Sequence, residues 1–149
     1  MTVIAWDGKT LAADRQSTGG AGLKRSVSKI SKHKMPDGTP YLLGMTGDES
    51  VALELREWFN AGADPGKFPS SARDDASTLV VIAAAGGISM FTSGPYPLKV
   101  DSPQFAWGSG RDFALASMHL GMAAIRACEV ACVFQSDCGM GIDDMTLED

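Results

Sequence analysis

Hydrophobic and polar positions change period several times along the chain, and each change marks an element. Val3 to Trp6 is a β-branched and aromatic run closed by Asp7-Gly8, a strong hairpin signal, and Thr10 to Asp14 reads as the returning strand. The chain is therefore expected to enter a sheet at once, without a loose lead-in that would fray. Ser17 to Gly22 reads as a glycine-rich loop, Ser26 to Met35 as a loosely alternating strand, and Pro36-Asp37-Gly38 as a turn. Tyr41 to Met45 is continuously apolar, as a strand buried on both faces is.

The period then lengthens. Thr46-x-x-Glu49 has capping-box spacing, and Val51, Leu55, Trp58 and Phe59 share one helical face that Asn60-Ala61-Gly62 ends. Asp64 to Ala76 is polar and reads as a loop. Thr78 to Ala84 and Ile88 to Thr92 are strands joined through Gly86-Gly87. Phe105 to Trp107 is a short strand running into Gly108-Ser109-Gly110. Helices are expected at about Arg111 to Leu120 and Ala123 to Val133, the second with Ile125, Cys128 and Cys132 on one face, and Gly139 to Thr146 returns as a last strand. Hairpins dominate, which predicts an α+β fold with helices packed on antiparallel sheets. Pattern alone ends there.

Composition narrows the function classes. A chain of 149 residues suits one domain, 1–149, with a real core. Its 13 basic against 18 acidic residues give a net charge of −5, which argues against a phosphate-neutralising nucleic-acid surface. The basic run Lys24 to Lys34 has no interleaved aromatics and reads as the solvated face of a strand. No apolar run is long enough to span a bilayer, and the first residues lack the basic leader of a signal peptide, so a cytoplasmic location without membrane contact is expected. The three cysteines, Cys128, Cys132 and Cys138, then read as reduced thiols.

Several segments together resemble a known family. Thr2-Val-Ile-Ala followed by Asp7-Gly8 and Leu11-Ala12-Ala13-Asp14 resembles the opening of HslV and β-type proteasome subunits. Ser28-Lys29-Ile30 resembles that family's lysine-bearing strand, and Leu43-Gly44-Met45-Thr46-Gly47-Asp48 the turn before its first long helix. Trp107-Gly108-Ser109-Gly110 with Phe113-Ala114 is similar to its Gly-Ser-Gly turn into the later helices. Each motif is weak alone; five in family order, over nearly the whole chain, are fairly specific.

The resemblance implies a four-layer αββα sandwich of the N-terminal nucleophile (Ntn) hydrolase type and a threonine peptidase that needs no cofactor or metal. Thr2 would be the nucleophile. Its own α-amine would be the base, an amine whose reference pKa of about 7.7–8.0 suits proton exchange near neutrality. That role requires removal of Met1. Lys29 would stand beside Thr2 as a stabilising cation and Asp14 would orient Lys29. Gly47, at a helix start, would offer its N–H to the oxyanion, and Ser109 would complete the hydrogen bonds around the amine. By the same residue-by-residue carry-over, Met45 shapes the pocket for a substrate side chain and Thr18 pairs with the substrate backbone. The resemblance further implies a homo-oligomeric ring, two rings stacked, peptide or unfolded-protein substrates, and a separate ATP-driven unfoldase as partner. The stretch Gln135-Ser136-Asp137-Cys138-Gly139 departs from the proteasome pattern, placing Gln135 and Cys138 where an acid and a serine are expected.

Bland explanations stand beside each assignment. Thr2 suits a strand simply as a β-branched residue, Asp14 is a plausible strand-end carboxylate, and Lys29 a solvated charge. Gly108-x-Gly110 lacks the third glycine and the βαβ setting of a dinucleotide loop. Cys128 and Cys132 on an apolar helix face are more simply packing than metal ligands with Cys138 and His119. Neither His33 nor His119 makes a Ser-His-Asp triad. Two rival functions stay open: a non-catalytic ring or shell component of the same fold with Met1 retained, and an Ntn amidohydrolase acting on a small molecule.

Overall fold

The computed structural model describes residues 2–148. It is α+β, and every strand pairing among the described residues is antiparallel. β1 (Ile4–Trp6) and β2 (Thr10–Asp14) form the expected hairpin, and β10 (Phe105–Trp107) and β11 (Ile142–Thr146) flank it in the order β10-β1-β2-β11. A second sheet runs β5 (Ile30–Lys34), β6 (Pro40–Thr46), β7 (Thr78–Ile82), β8 (Ile88–Phe91) and β9 (Leu98–Val100), neighbours in that order. β3 (Gln16–Thr18) and β4 (Lys24–Ser26) make a small ribbon of their own. The helices are α1 (Glu49–Asn60), α2 (Arg111–His119) and α3 (Ala124–Phe134).

Period-2 alternation sorts the strand side chains into separate clusters. Ile4 and Trp6 join Leu11, Ala13, Leu42, Val80, Ile82 and Trp107 in a cluster drawn from both large sheets. Val3, Ala5 and Ala12, on the other face of the first sheet, pack with Ala114, Met118, Ala127, Cys128 and Ala131 of α2 and α3. Tyr41, Leu43, Met45, Leu79 and Val81, on the far face of the second sheet, pack with Ala52, Leu55 and Trp58 of α1. Both faces of β6 and β7 are thus buried, which explains their unbroken apolar sequence. Gly44 allows the sheets to close: a Cβ there would lie 3.1 Å from Ile4 Cδ1.

Several expectations need correction. The stretch read as a loop from Ser17 to Gly22 contains most of β3, and its backbone groups pair with β4, a strand hidden inside the basic run. Ser26 to Met35 is accordingly not one strand: β4 ends at Ser26 and β5 begins at Ile30. Thr46 does not cap α1. It completes β6, and Asp48 caps instead, accepting from the N–H groups of Ser50 and Val51 at 3.0 and 3.2 Å. The loop from Asp64 to Ala76 carries two single 3-10 turns, and β9 was not anticipated because its Leu98-Lys99-Val100 run is short and largely exposed. The basic run is not uniformly solvated either, since Lys29 is only 6% exposed.

Candidate active site

The β1–β2 hairpin brings Thr2 and Asp14 to one end of the first sheet, and the segment between β4 and β5 lays Lys29 over that end. Asp14 is fully buried, so its oxygens must be saturated by donors. Oδ1 accepts from Val3 N at 3.1 Å and from Lys29 Nζ at 2.7 Å. Oδ2 accepts from Gln16 N at 3.2 Å and from Gly139 N at 3.0 Å. Asp14 therefore ties the Lys29 ammonium to the backbone of the residue directly after Thr2. The solvated-charge explanation of Lys29 fails on this pair.

Thr2 is 4% exposed. Its N–H donates to Ser109 Oγ at 3.1 Å, and its carbonyl accepts from Gly110 N at 3.0 Å. The Gly108-Ser109-Gly110 turn thus holds Thr2 by its backbone. Gly108 has φ +93°, and a Cβ on it would stand 2.2 Å from the Thr2 carbonyl oxygen and 2.7 Å from its carbon. Gly108→Ala is expected to lower stability by about 2–4 kcal/mol, through backbone strain and a backbone clash that no side chain can relieve. Chemical denaturation checks this; an unchanged midpoint would mean that the turn is not pressed against Thr2.

Thr2, Lys29, Gly47, Met45 and Thr18 all line one cleft of about 130 Å³, with Gln16, Ser17, Val27, Ser28, Glu49 and Ala52 completing its walls. Of the residues singled out in the sequence, Asp14 and Ser109 lie behind this lining, reached through their bonds to Lys29 and Thr2. Met45 is buried between the cleft and the α1 core. Thr18 closes β3, and its Oγ1 accepts from the Gln16 side-chain amide at 3.1 Å. Gly47 has φ +95°, a conformation that favours glycine. Glu49 was missed as a lining residue; its carboxylate is paired with Arg25 of β4.

Gln135 and Cys138, flagged as departures, both reach the Ser109 turn. Gln135 Nε2 donates to the Ser109 carbonyl at 3.3 Å, and Gly110 abuts the Cys138 Sγ, which would lie 3.2 Å from a Cβ there. Burial first, and then the Asp14 charge, push the Cys138 thiol up to about 11; burial and the same charge do likewise for Cys132, also to about 11. Cys128, the most buried of the three, is raised further by the same burial. All three therefore remain neutral thiols near neutral pH, poor nucleophiles and poor metal ligands. Among the described residues no group of His, Cys, Asp and Glu could hold a metal ion, and no helix is long and apolar enough to cross a membrane.

No family model and no curated protein matches the sequence. Solved structures do resemble the fold. HslV from Trypanosoma brucei is similar at TM-score 0.72 and 18% identity over 97% of each chain. The Gly-1 mutant of Anbu from Hyphomicrobium sp. strain MC1 aligns at TM-score 0.75 and 11% identity, over 98% of this chain and 81% of that one. BPH from Thiobacillus denitrificans, solved in complex with epoxomicin, aligns at TM-score 0.67 and 16% identity over 99% of each chain. At these identities the likeness establishes a shared, proteasome-like fold.

Proposed function

We propose that this chain is an N-terminal threonine peptidase of a proteasome-like assembly, a single Ntn-hydrolase domain over residues 1–149 built as a four-layer αββα sandwich. The succession of three apolar clusters, between α2–α3 and the first sheet, between the two sheets, and between the second sheet and α1, supports the layering. The observation that carries the activity is the placement of the Thr2 nitrogen. It sits 3.1 Å from Ser109 Oγ, at a cleft whose wall Lys29 shares.

Removal of Met1, which lies outside the described residues, converts that nitrogen into an α-amine. The unprotonated amine takes the proton of Thr2 Oγ, and Oγ attacks the peptide carbonyl carbon. The resulting oxyanion is met by the Gly47 N–H, and the amine passes its proton to the departing amine of the substrate. The acyl group is then on Thr2 Oγ. Water, deprotonated by the same amine, attacks it and releases the new carboxylate with Oγ reprotonated. Lys29 holds positive charge against the developing negative charge, and Asp14 holds Lys29. Ser109 keeps the amine oriented. Met45, with Ala52 and Val27, gives an apolar recess for a substrate side chain, and Thr18 offers an extended edge to the substrate backbone.

Homo-oligomeric, doubly stacked rings in the cytoplasm, fed with unfolded protein by a separate ATP-driven unfoldase, belong to the same proposal and rest on the shared fold. The experiment is intact-mass analysis of purified protein, with and without a threonine-directed electrophile such as the epoxomicin bound by the Thiobacillus neighbour. Loss of Met1 and addition of one label at Thr2 are expected. An intact Met1 with no label would leave a non-catalytic component of the same fold, and a label without cleavage of short fluorogenic peptides would favour an amidohydrolase of small molecules.

A further inference from the structure

We propose that Ser77 is a positioning residue, fixing the direction of the Gly47 N–H; the inference rests on the reading of Gly47 as the oxyanion donor. Ser77 is fully buried and lies immediately before β7, beside the turn that leaves β6. Thr46 and Thr78 are the last register pair between those strands, so Ser77 faces Gly47 and Asp48 just beyond it.

The contacts make a clamp. Ser77 Oγ accepts from Asp48 N at 2.9 Å, and its own proton goes to the Asp75 carboxylate. A hydroxyl has one proton to give and lone pairs to spare, so the Asp75 bond leaves Oγ turned to receive the Asp48 N–H. Ser77 N also donates to Asp75 Oδ1, at 2.7 Å, which holds the serine itself in place. Asp48 is meanwhile pinned by capping α1. The peptide group following Gly47 is therefore held from the side by Ser77 and from ahead by the helix, while the strand pairing at Thr46 holds the residue before it.

Glycine at φ +95° would otherwise be the freest point of the turn. Ser77 also packs directly on it: a Cβ at Gly47 would lie 2.6 Å from both Ser77 Cα and Ser77 Oγ. Gly47 lines the cleft with Thr2, and an N–H aimed at an oxyanion acts only when its direction is kept. Loss of one such donor costs about 10²–10³ in kcat, so a donor left free to swing should cost a sizeable part of that.

The test compares wild type with Ser77→Ala in peptide hydrolysis. The expected result is a kcat lower by about 10- to 100-fold with KM within two-fold, because the oxyanion forms only in the transition state. Labelling of Thr2 by the electrophile should slow in parallel. A kcat within two-fold of wild type, or a raised KM with kcat kept, would overturn the proposal, since a serine that serves only the helix start would not split the two constants. Should Ser77→Ala fail to fold, Asp75→Asn keeps the serine hydroxyl and weakens its anchor. A kcat lower by roughly three-fold or more at constant KM is then expected, charged acceptors being about twice as strong as neutral ones, and an unchanged kcat overturns the proposal. Wild-type protein that neither cleaves nor labels would instead remove the Thr2 reading itself.

Discussion

Thr2→Ala is expected to lower peptide cleavage by about 10⁴-fold or more, with no change in fold. Removing the nucleophile of an acyl-transfer site leaves only binding and oxyanion stabilisation to act. The structural cost is small. Thr2 is held by its backbone, through Ser109 Oγ and the Gly110 N–H, and neither bond involves the side chain. Alanine also keeps the α-amine once Met1 is removed, so the variant isolates the hydroxyl from the base. Thr2→Ser, which keeps an oxygen at the same position, should retain measurable turnover. The measurement is release from a fluorogenic peptide, with the N-terminal mass and melting temperature of each variant beside it. Turnover surviving in Thr2→Ala would place the chemistry elsewhere in the molecule.

Lys29→Ala should lose both activity and stability, and for separate reasons. The Asp14 carboxylate is fully buried and the Lys29 side chain is 8% exposed, so the pair lies out of water. Taking away one partner of a buried pair costs about 3–5 kcal/mol, against a total stability of about 5–15 kcal/mol. Val3, Gln16 and Gly139 continue to donate to Asp14, which keeps the variant folded with a lowered melting temperature. Activity should fall to background, because the cation that faces the cleft beside Thr2 is gone. Turnover per folded molecule, measured well below the new melting temperature, separates the two effects. Undiminished turnover would exclude Lys29 from the mechanism, whatever the stability does.

Much of the fold was legible because its signals are local. A β-branched run closed by Asp7-Gly8, a switch from period 2 to a helical face after Met45, and glycine pairs between strands each act within a few residues. The misplaced boundaries have identifiable causes too. Thr46 carries the capping-box spacing, yet pairing with Thr78 outbids capping and leaves Asp48 to cap α1. β3 and β4 are too short, and β4 too exposed, to show any alternation.

The candidate residues Thr2, Asp14, Lys29, Gly47 and Ser109 were visible as residue types in order, and their meeting was expected from the family resemblance alone, because nothing in periodicity or turn chemistry brings them together. Asp7 illustrates the difference. As a turn residue it was expected, accepting from Thr10 N at 2.8 Å, whereas its other oxygen accepts from Ala124 N at 2.8 Å, at the start of a helix with no side-chain cap of its own. Likewise the Thr2–Ser109 bond spans 107 positions and the Gly139–Asp14 bond 125. Lys29 sits in a basic run and looks solvated until a buried carboxylate is set against it. Periodicity and turn chemistry are written within a turn or a strand, so the sequence by itself determined the elements and their order. Which buried polar groups satisfy one another depends on how the sheets and helices close, and the tertiary structure alone decided that.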